Sequence, residues 1–128
     1  VVGKVMYALN YRGKALKVSR ILVLGLAYKK NIDDTRESPA VEIMDLLQDK
    51  GAEVAYSDPH VPKFPRKRNY HFDLQSVALT PESIASYDCL VLATDHDGFD
   101  YQQLVQHARL VVDTRGRLGV GRANVVAA

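Results

Sequence analysis

Charged residues of both signs crowd into one short stretch that follows the apolar run ILVLGLA at 21–27. The stretch YKKNIDDTRES contains three cations and three anions: Lys29, Lys30, Asp33, Asp34, Arg36 and Glu37. Lysine can neutralise a phosphate as a point charge and arginine as a bidentate fork. One interpretation is therefore an anion-binding loop in which the acids hold the cations in place. The alternative is a surface ion-pair network, each pair contributing ~0–1 kcal/mol, and charge pattern alone slightly favours it.

The elements that must position these residues alternate between strands and helices. Apolar periodicity and turn residues predict helices over 1–10, from Pro39 to Gly51, from Thr80 and over 101–107, and strands over 20–27, 52–57, 87–94 and 110–113. Ser38 is a plausible N-cap with Pro39 at the first helical position, and Gly51 supplies the left-handed stop. The segment 60–79 reads as irregular, with room for a short strand near its end, and the tail after Arg117 as frayed.

This alternation predicts an α/β fold, a doubly wound, mostly parallel Rossmann-like sheet flanked by helices and preceded by an N-terminal helix. Ligands of such sheets bind beyond the carboxyl ends of the strands. Three charged loops are expected there, at 28–37, 94–100 and 114–117. Their convergence is the first indication of a binding site, and the helix beginning at Pro39 would add its positive end to it.

Two other readings of the same fold fit less well. A dinucleotide-binding domain needs G-x-G-x-x-G between the first strand and helix, and Gly25 is the only glycine in this turn. A phosphorylation receiver would use acids at strand ends, a Thr and a cation. The residues that imitate that set are Asp33, Asp34, Asp58, Thr94 and Arg115. Asp33 and Asp34 lie well past the strand and behind two lysines, however, so the match looks accidental.

The bulk composition narrows the class of protein. The 128 residues suit one domain, and a net charge of +2 with a pI near 8.7 is too mild to indicate nucleic acid. The basic cluster around 63–68 is interrupted by prolines and reads as a solvated loop. A single cysteine, Cys89, suits a reducing compartment, and the four histidines show no metal-ligand spacing. No apolar run reaches the ~18 residues of a membrane helix. A start on Val1 suggests a fragment of a longer chain.

Four stretches carry a resemblance: ILVLGLAYKKNIDDTRESPA, GAEVAYSDPHVP, YDCLVLATDHDGFD and LVVDTRG. Together they resemble the C-terminal, UDP-binding domain of the UDP-glucose/GDP-mannose dehydrogenase family over nearly the whole chain. FPRKRNYHF and ATDHDGFDY look closest to the UDP-N-acetylhexosamine branch, exemplified by UDP-N-acetylglucosamine 6-dehydrogenases. The resemblance divides the chain into a connecting helix and lead-in at 1–19 and a UDP-sugar-binding domain at 20–128.

The resemblance implies a cytoplasmic, NAD-dependent enzyme that oxidises the C6 alcohol of a UDP-sugar to a carboxylate for polysaccharide precursor synthesis. In that family an N-terminal domain holds NAD, and a central region carries the dimer contact and the catalytic cysteine, which forms a thiohemiacetal and then a thioester. A homo-oligomer is expected for the full-length enzyme. The stretch seen here should bind substrate weakly at best and catalyse nothing alone. A stand-alone nucleotide-binding regulatory module is the alternative.

The resemblance also assigns residues. Tyr28 and Lys29 match the family's pair that contacts the UDP-sugar, and Arg115 matches an arginine that contacts the substrate. Arg36 matches the arginine that reaches NAD, while Lys30, Asp33, Asp34 and Glu37 are expected to orient the loop. No residue is assigned to catalysis or to a metal.

Four residues outside that assignment receive structural roles. Cys89 is expected to be an inert core thiol, since it sits inside an apolar strand. We expect His96 to be an exposed loop residue, and Ser38 to act only as a helix cap. Asp58 is expected to cap the turn before Pro59, and Tyr56, Tyr87 and Tyr101 to be half-buried.

Overall fold

A parallel sheet organises the chain, as seen in a computed structural model that describes residues 1–27, 29–32, 34–35, 38–65, 72–119 and 121–128. The helices are α1 (Val2–Tyr11), α2 (Pro39–Asp49), α3 (Pro81–Ser86) and α4 (Tyr101–His107), with a short 3-10 helix at Leu16–Val18. The strands are β1 (Arg20–Leu24), β2 (Glu53–Ser57), β3 (Cys89–Leu92), β4 (Val111–Asp113) and β5 (Val125–Ala127). They pair in the order β2-β1-β3-β4-β5, all parallel, which confirms the expected fold class.

The register aligns the carboxyl ends of four strands at one edge of the sheet. Leu24 at the end of β1 pairs with Ser57 of β2 on one side and with Leu92 of β3 on the other. Leu92 in turn pairs with Asp113, the last residue of β4. The strand order reverses between β1 and β3, because the chain passes from β1 to β2 on one side and then crosses to β3 on the other. In open parallel sheets this switch point is the usual location of a ligand crevice.

Both faces of the sheet are covered. Ile21 and Val23 of β1 pack in a cluster with α1 and α2, whereas Leu22 and Leu24 pack in the opposite cluster with α3 and α4. Because successive side chains point to opposite faces, a strand buried on both sides must be apolar at every position. This accounts for the run ILVL, whose four residues are completely buried.

Two strand predictions need correction. β1 ends at Leu24, not at Ala27, because the N–H groups of Leu26 and Ala27 donate to a side chain instead of to a neighbouring strand. The tail predicted to be frayed contains β5, which extends the sheet beside β4. The residues of β5 are only partly buried or exposed, so no strongly apolar run in the sequence predicted this strand. The remaining strands are shorter than predicted by one or two residues at an end.

The N-terminal helix is confirmed and joins the core by one face only. Val5, Ala8 and Leu9 are buried in the cluster shared with α2, whereas Tyr7 and Tyr11 are exposed. The described residues of the segment 60–79, which are 60–65 and 72–79, contribute an isolated antiparallel bridge between Lys63 and Gln75 rather than a strand. In the part of the chain that the structure describes, no helix has the length and apolar character needed to cross a membrane.

Candidate functional site

The segment that leaves β1 passes through the switch point of the sheet, and we call its described residues 25–27 and 29–32 the β1 loop. Gly25 opens it with φ +88°, a conformation that side chains disfavour. A Cβ atom at this position would lie 2.5 Å from both the Cβ and the carbonyl oxygen of Thr94. The glycine is therefore required so that the loop can pass directly against the residues that follow β3.

Side chains from three other elements hold the base of the β1 loop. Asp58, which follows β2, accepts the N–H groups of Leu26 and Ala27 on Oδ2 at 2.7 and 3.1 Å. Thr94 donates its hydroxyl to the carbonyl oxygen of Ala27 at 2.7 Å. Ser38 donates its hydroxyl to the carbonyl oxygen of Leu26 at 2.6 Å. Every polar backbone group of Leu26 and Ala27 is thus satisfied by a side chain.

Ser38 therefore differs from its expected role. It occupies the N-cap position of α2, but its side chain makes no capping hydrogen bond. Its hydroxyl is instead used to tie the helix start to the β1 loop, so the prediction of a simple cap was wrong. Pro39 does stand at the first helical position, where its missing N–H costs nothing.

The tip of the β1 loop is held by Asn31, whose φ of +63° is one that asparagine tolerates better than most residues. The backbone N–H of Asn31 donates to Nδ1 of His96 at 2.7 Å. Its side chain donates to Oδ2 of Asp97 at 2.8 Å and accepts the N–H of Asp97 at 2.9 Å. The tip is therefore bonded to the loop that follows β3.

His96 and Asp58 form a buried pair beneath the β1 loop. The two side chains are fully buried, and Nε2 of His96 lies 2.8 Å from Oδ2 of Asp58. Since Nδ1 accepts the N–H of Asn31, the ring proton lies on Nε2 and is donated to Asp58. The expectation that His96 is an exposed loop residue was wrong. Asp58 does cap its own turn, because Oδ1 accepts the N–H of His60, but this is only part of its role.

The loop after β4 carries Arg115 and is held by the buried carboxylate of Asp113. That carboxylate accepts the N–H groups of Arg115, Gly116 and Leu118, each at 2.9 Å. The guanidinium Nε of Arg115 donates to the carbonyl oxygen of Ala93 at 2.8 Å. The side chain is thereby laid along the carboxyl end of β3, towards the β1 loop.

The dipeptide Ala93–Thr94 joins the two cationic loops. Ala93 receives the Arg115 guanidinium, and Thr94 binds Ala27, two residues before the exposed Lys29. The structure thus brings Lys29 and Arg115, two of the residues assigned from sequence, to the same edge of the sheet. Tyr28 and Arg36, and with them Asp33 and Glu37, lie outside the described residues.

A second set of charges flanks this edge on the side of α4. Arg117 lies 3.2 Å from a carboxylate oxygen of Asp97 and 3.6 Å from one of Asp95, and it stacks over the Tyr101 ring at 4.6 Å. Hydrogen bonds from Asn31 and then from Arg117 lower the pKa of Asp97. Arg117 is therefore committed to neighbouring acids and the aromatic ring, in contrast to Arg115, which bonds a backbone carbonyl.

The single cysteine has no part in this site. Cys89 is completely buried in β3, and desolvation raises the pKa of its thiol to about 12. A thiol of this kind is not a nucleophile near neutral pH, which confirms its placement in the core. Tyr56 and Tyr87 are almost fully buried, more than the half-burial expected, while Tyr101 is intermediate.

This arrangement of residues can serve to bind an anion. Cations lie on two loops at one edge of the sheet, and a buried carboxylate holds the backbone of each loop. Within the described ranges no group of three or more His, Cys, Asp or Glu side chains could hold a metal ion. Sequence reasoning did not identify the pair of Asp58 and His96. Asp58 directly follows β2 and His96 lies in the loop after β3, so both come from strands that flank β1.

Comparison with known proteins agrees with this geometry. Residues 22–119 match the sequence model of the UDP-glucose/GDP-mannose dehydrogenase family, UDP binding domain. The UDP-N-acetyl-D-mannosamine dehydrogenase of Escherichia coli (strain K12) is 35% identical over 117 residues, which are 90% of this chain and 26% of that protein. A protein of the same name from Methanococcus vannielii is 38% identical over 80 residues, or 62% of this chain and 17% of the relative.

The fold is shared with a solved UDP-D-ManNAc dehydrogenase from Pyrococcus horikoshii, with a TM-score of 0.74 over 98% of this chain and 28% of that one. At 23% identity this likeness concerns the fold alone. The chain spans about a quarter or less of the length of these relatives. The match to the family sequence model covers most of the chain and confirms the resemblance first seen in the sequence. The chain therefore belongs to the UDP-glucose/GDP-mannose dehydrogenase family, and residues 22–119 are its UDP binding domain.

Proposed function

We propose that the β1 loop and the loop after β4 together bind the diphosphate of a UDP-sugar, with Lys29 and Arg115 supplying the positive charge. The observation that carries this proposal is the shared support of the two loops by Ala93 and Thr94. Because both loops are tied to one dipeptide, their backbones are held relative to each other before the ligand arrives, which would lower the entropic cost of binding.

The proposed roles of the remaining site residues rest on the family resemblance. Tyr28 would pack beside Lys29 against the nucleotide sugar, and Arg36 would reach towards NAD across the cleft of the complete enzyme. Lys30, Asp33, Asp34 and Glu37 would orient the loop. Consistent with this division, Lys30 lies near enough to Asp97 to help lower the pKa of that carboxyl group.

In the complete protein we propose an NAD-dependent UDP-sugar 6-dehydrogenase that converts the C6 alcohol to a carboxylate for polysaccharide precursors in the cytoplasm. NAD would be held mainly by an N-terminal domain, and a cysteine other than Cys89 would form the covalent intermediates. Residues 1–19 would connect that part to the UDP-sugar-binding domain at 20–128, within a homo-oligomer. By itself the 128-residue chain is proposed to bind and not to catalyse.

The sugar we favour is a UDP-N-acetylhexosamine. The supporting fact is that the relatives reported above are named as dehydrogenases of UDP-N-acetyl-D-mannosamine. UDP-glucose is the second candidate, because the family description includes glucose. A panel of UDP-sugars assayed with the intact enzyme would distinguish them by kcat/KM.

Isothermal titration of this chain with UDP-N-acetylglucosamine tests the binding proposal. Removing Lys29 or Arg115 by substitution with alanine should weaken binding about tenfold each, the expected loss for a charge-assisted contact to phosphate. Lys4→Ala, which removes an exposed cation on α1, is the matched control and should leave the affinity unchanged. Equal affinity in all four proteins would contradict the proposal.

A further inference from the structure

We infer that His96 is a positioning residue for nucleotide binding, and that it acts by accepting the Asn31 N–H and so fixing the tip of the β1 loop. The inference rests on the proposed binding of a UDP-sugar by that loop. It assigns to His96 a role that concerns Lys29, which lies two residues before Asn31 in the chain.

The imidazole ring is held on several sides. Nε2 donates to Asp58, and Asp58 is itself fixed by the N–H groups of Leu26 and Ala27. The ring packs against the rings of His60 and Phe99, with centroids 4.7 and 5.7 Å away. A side chain restrained in this way places its remaining nitrogen, Nδ1, at one fixed point.

That fixed point determines where the loop turns. The Asn31 N–H meets Nδ1 at 2.7 Å, at a residue whose backbone has a positive φ. The same carboxylate of Asp58 that receives His96 also receives the base of the loop. Asp58 therefore holds the base of the loop directly and the tip through His96, and Lys29 lies between these two points in the chain.

Histidine suits this position because one neighbour of the ring is a hydrogen-bond acceptor and the other is a donor. Asp58 offers an acceptor on one side of the ring, and Asn31 offers a donor on the other. A neutral imidazole donates from Nε2 and accepts at Nδ1, whereas the protonated ring only donates. The neutral form alone can hold both partners.

Two substitutions separate the two sides of the ring. In His96→Gln the amide nitrogen can occupy the place of Nε2 and donate to Asp58, but no acceptor remains for Asn31. In His96→Asn the amide oxygen can occupy the place of Nδ1 and accept from Asn31, but the bond to Asp58 is lost. Each variant loses one of the two hydrogen bonds of the His96 ring, so a purely structural role predicts similar losses of stability and of affinity for both.

The experiment measures amide hydrogen exchange at Asn31 without ligand, and the affinity for UDP-N-acetylglucosamine at pH 7.5. For His96→Gln we expect about tenfold faster exchange and about tenfold weaker binding, because the loop tip loses its acceptor. For His96→Asn we expect both quantities to stay within about threefold of the wild type. Urea denaturation of both variants provides the stability control.

Equal exchange at Asn31 and equal affinity in the two variants would overturn the inference. A wild-type chain in which His96 protects Asn31 but no nucleotide sugar binds would overturn the proposed function, and the positioning role with it. The two failures are distinguishable because the exchange measurement needs no ligand.

Discussion

The β1 loop and the loop after β4 both carry a cation at the carboxyl edge of the sheet, and each depends on a buried aspartate. They differ in where that aspartate comes from. Asp113 ends β4 and binds the next few N–H groups along its own chain. Asp58 follows β2 and binds the loop of a different strand, with further help from Ser38, Thr94 and His96.

A loop held by its own strand is fixed by local sequence, whereas the β1 loop is fixed only once the sheet has assembled. The position of the β1 loop therefore depends on the packing of β2, β3 and α2. Two substitutions that lower the free energy of unfolding equally, one near each loop, should differ in how far they displace Lys29.

Gly25→Ala should be the most damaging of these changes, with a loss of about 4 kcal/mol from combined backbone strain and overpacking. The added Cβ would meet Thr94 at 2.5 Å, and the backbone φ is +88°. Gly116→Ala in the loop after β4 is the matched control, because its φ is +70° but its Cβ would have nothing within 4 Å. Backbone strain alone should cost about 1 kcal/mol in Gly116→Ala. Equal unfolding midpoints of the two variants in urea would contradict the close approach of residue 25 to Thr94.

Asp58→Asn should lower the free energy of unfolding by about 3 kcal/mol, and Asp113→Asn by about 2 kcal/mol, because an amide leaves at least one buried N–H facing a donor. Asp58 accepts four N–H groups, one of them from His96, whereas Asp113 accepts three. The amide spectra should separate the two. Only Asp58→Asn should shift the amide resonance of Asn31. A shift of that resonance in Asp113→Asn would contradict the view that Asp113 supports only the loop after β4.

Thr94→Val and Thr114→Val form an isosteric pair. Each removes one hydroxyl that donates to a backbone carbonyl, that of Ala27 for Thr94 and that of Leu92 for Thr114. Each should cost about 1 kcal/mol of stability. Thr94→Val alone should also reduce the affinity for a UDP-sugar, because its partner precedes Lys29 by two residues. If titration calorimetry finds equal affinities for Thr94→Val and Thr114→Val, Thr94 does not support the β1 loop in binding.

Asp97→Asn should have the smallest effect, since this carboxylate is solvent-exposed. Hydrogen bonds from Asn31 and Arg117 lower its pKa, so its contribution to stability is present above the pKa of the unfolded chain. That contribution is lost as the pH falls through the lower pKa of the folded state. The urea midpoints of wild type and variant should therefore differ at pH 7 and converge at pH 2. A difference that persists in acid would mean that the charge of Asp97 is not responsible.

The sequence predicted the parts of the fold that depend on local pattern. ILVL indicated a strand buried on both faces, Gly51 marked the end of α2 with φ +94°, and Cys89 was placed in the core. The resemblance indicated Lys29 and Arg115. β5 was missed because its three residues are only partly buried or exposed and are held mainly by pairing with β4.

The supports of the site could not be read from local pattern. His96 lies 38 residues from Asp58 and 65 from Asn31, so nothing in DHDGF reveals that its ring is buried between them. Ser38 has the sequence context of a cap, but the nearby Leu26 carbonyl takes its hydroxyl. In both cases a partner distant in sequence outcompetes the local one, and only the assembled sheet brings that partner near.

The central claim is that this edge of the sheet recognises a uridine diphosphate, and an NMR titration of the chain tests it most directly. UDP should shift the amide resonances of Lys29, Asn31 and Arg115 at lower concentration than NAD does, because the proposed site is built for the substrate. Tighter binding of NAD, or UDP-induced shifts confined to residues away from these two loops, would contradict the account.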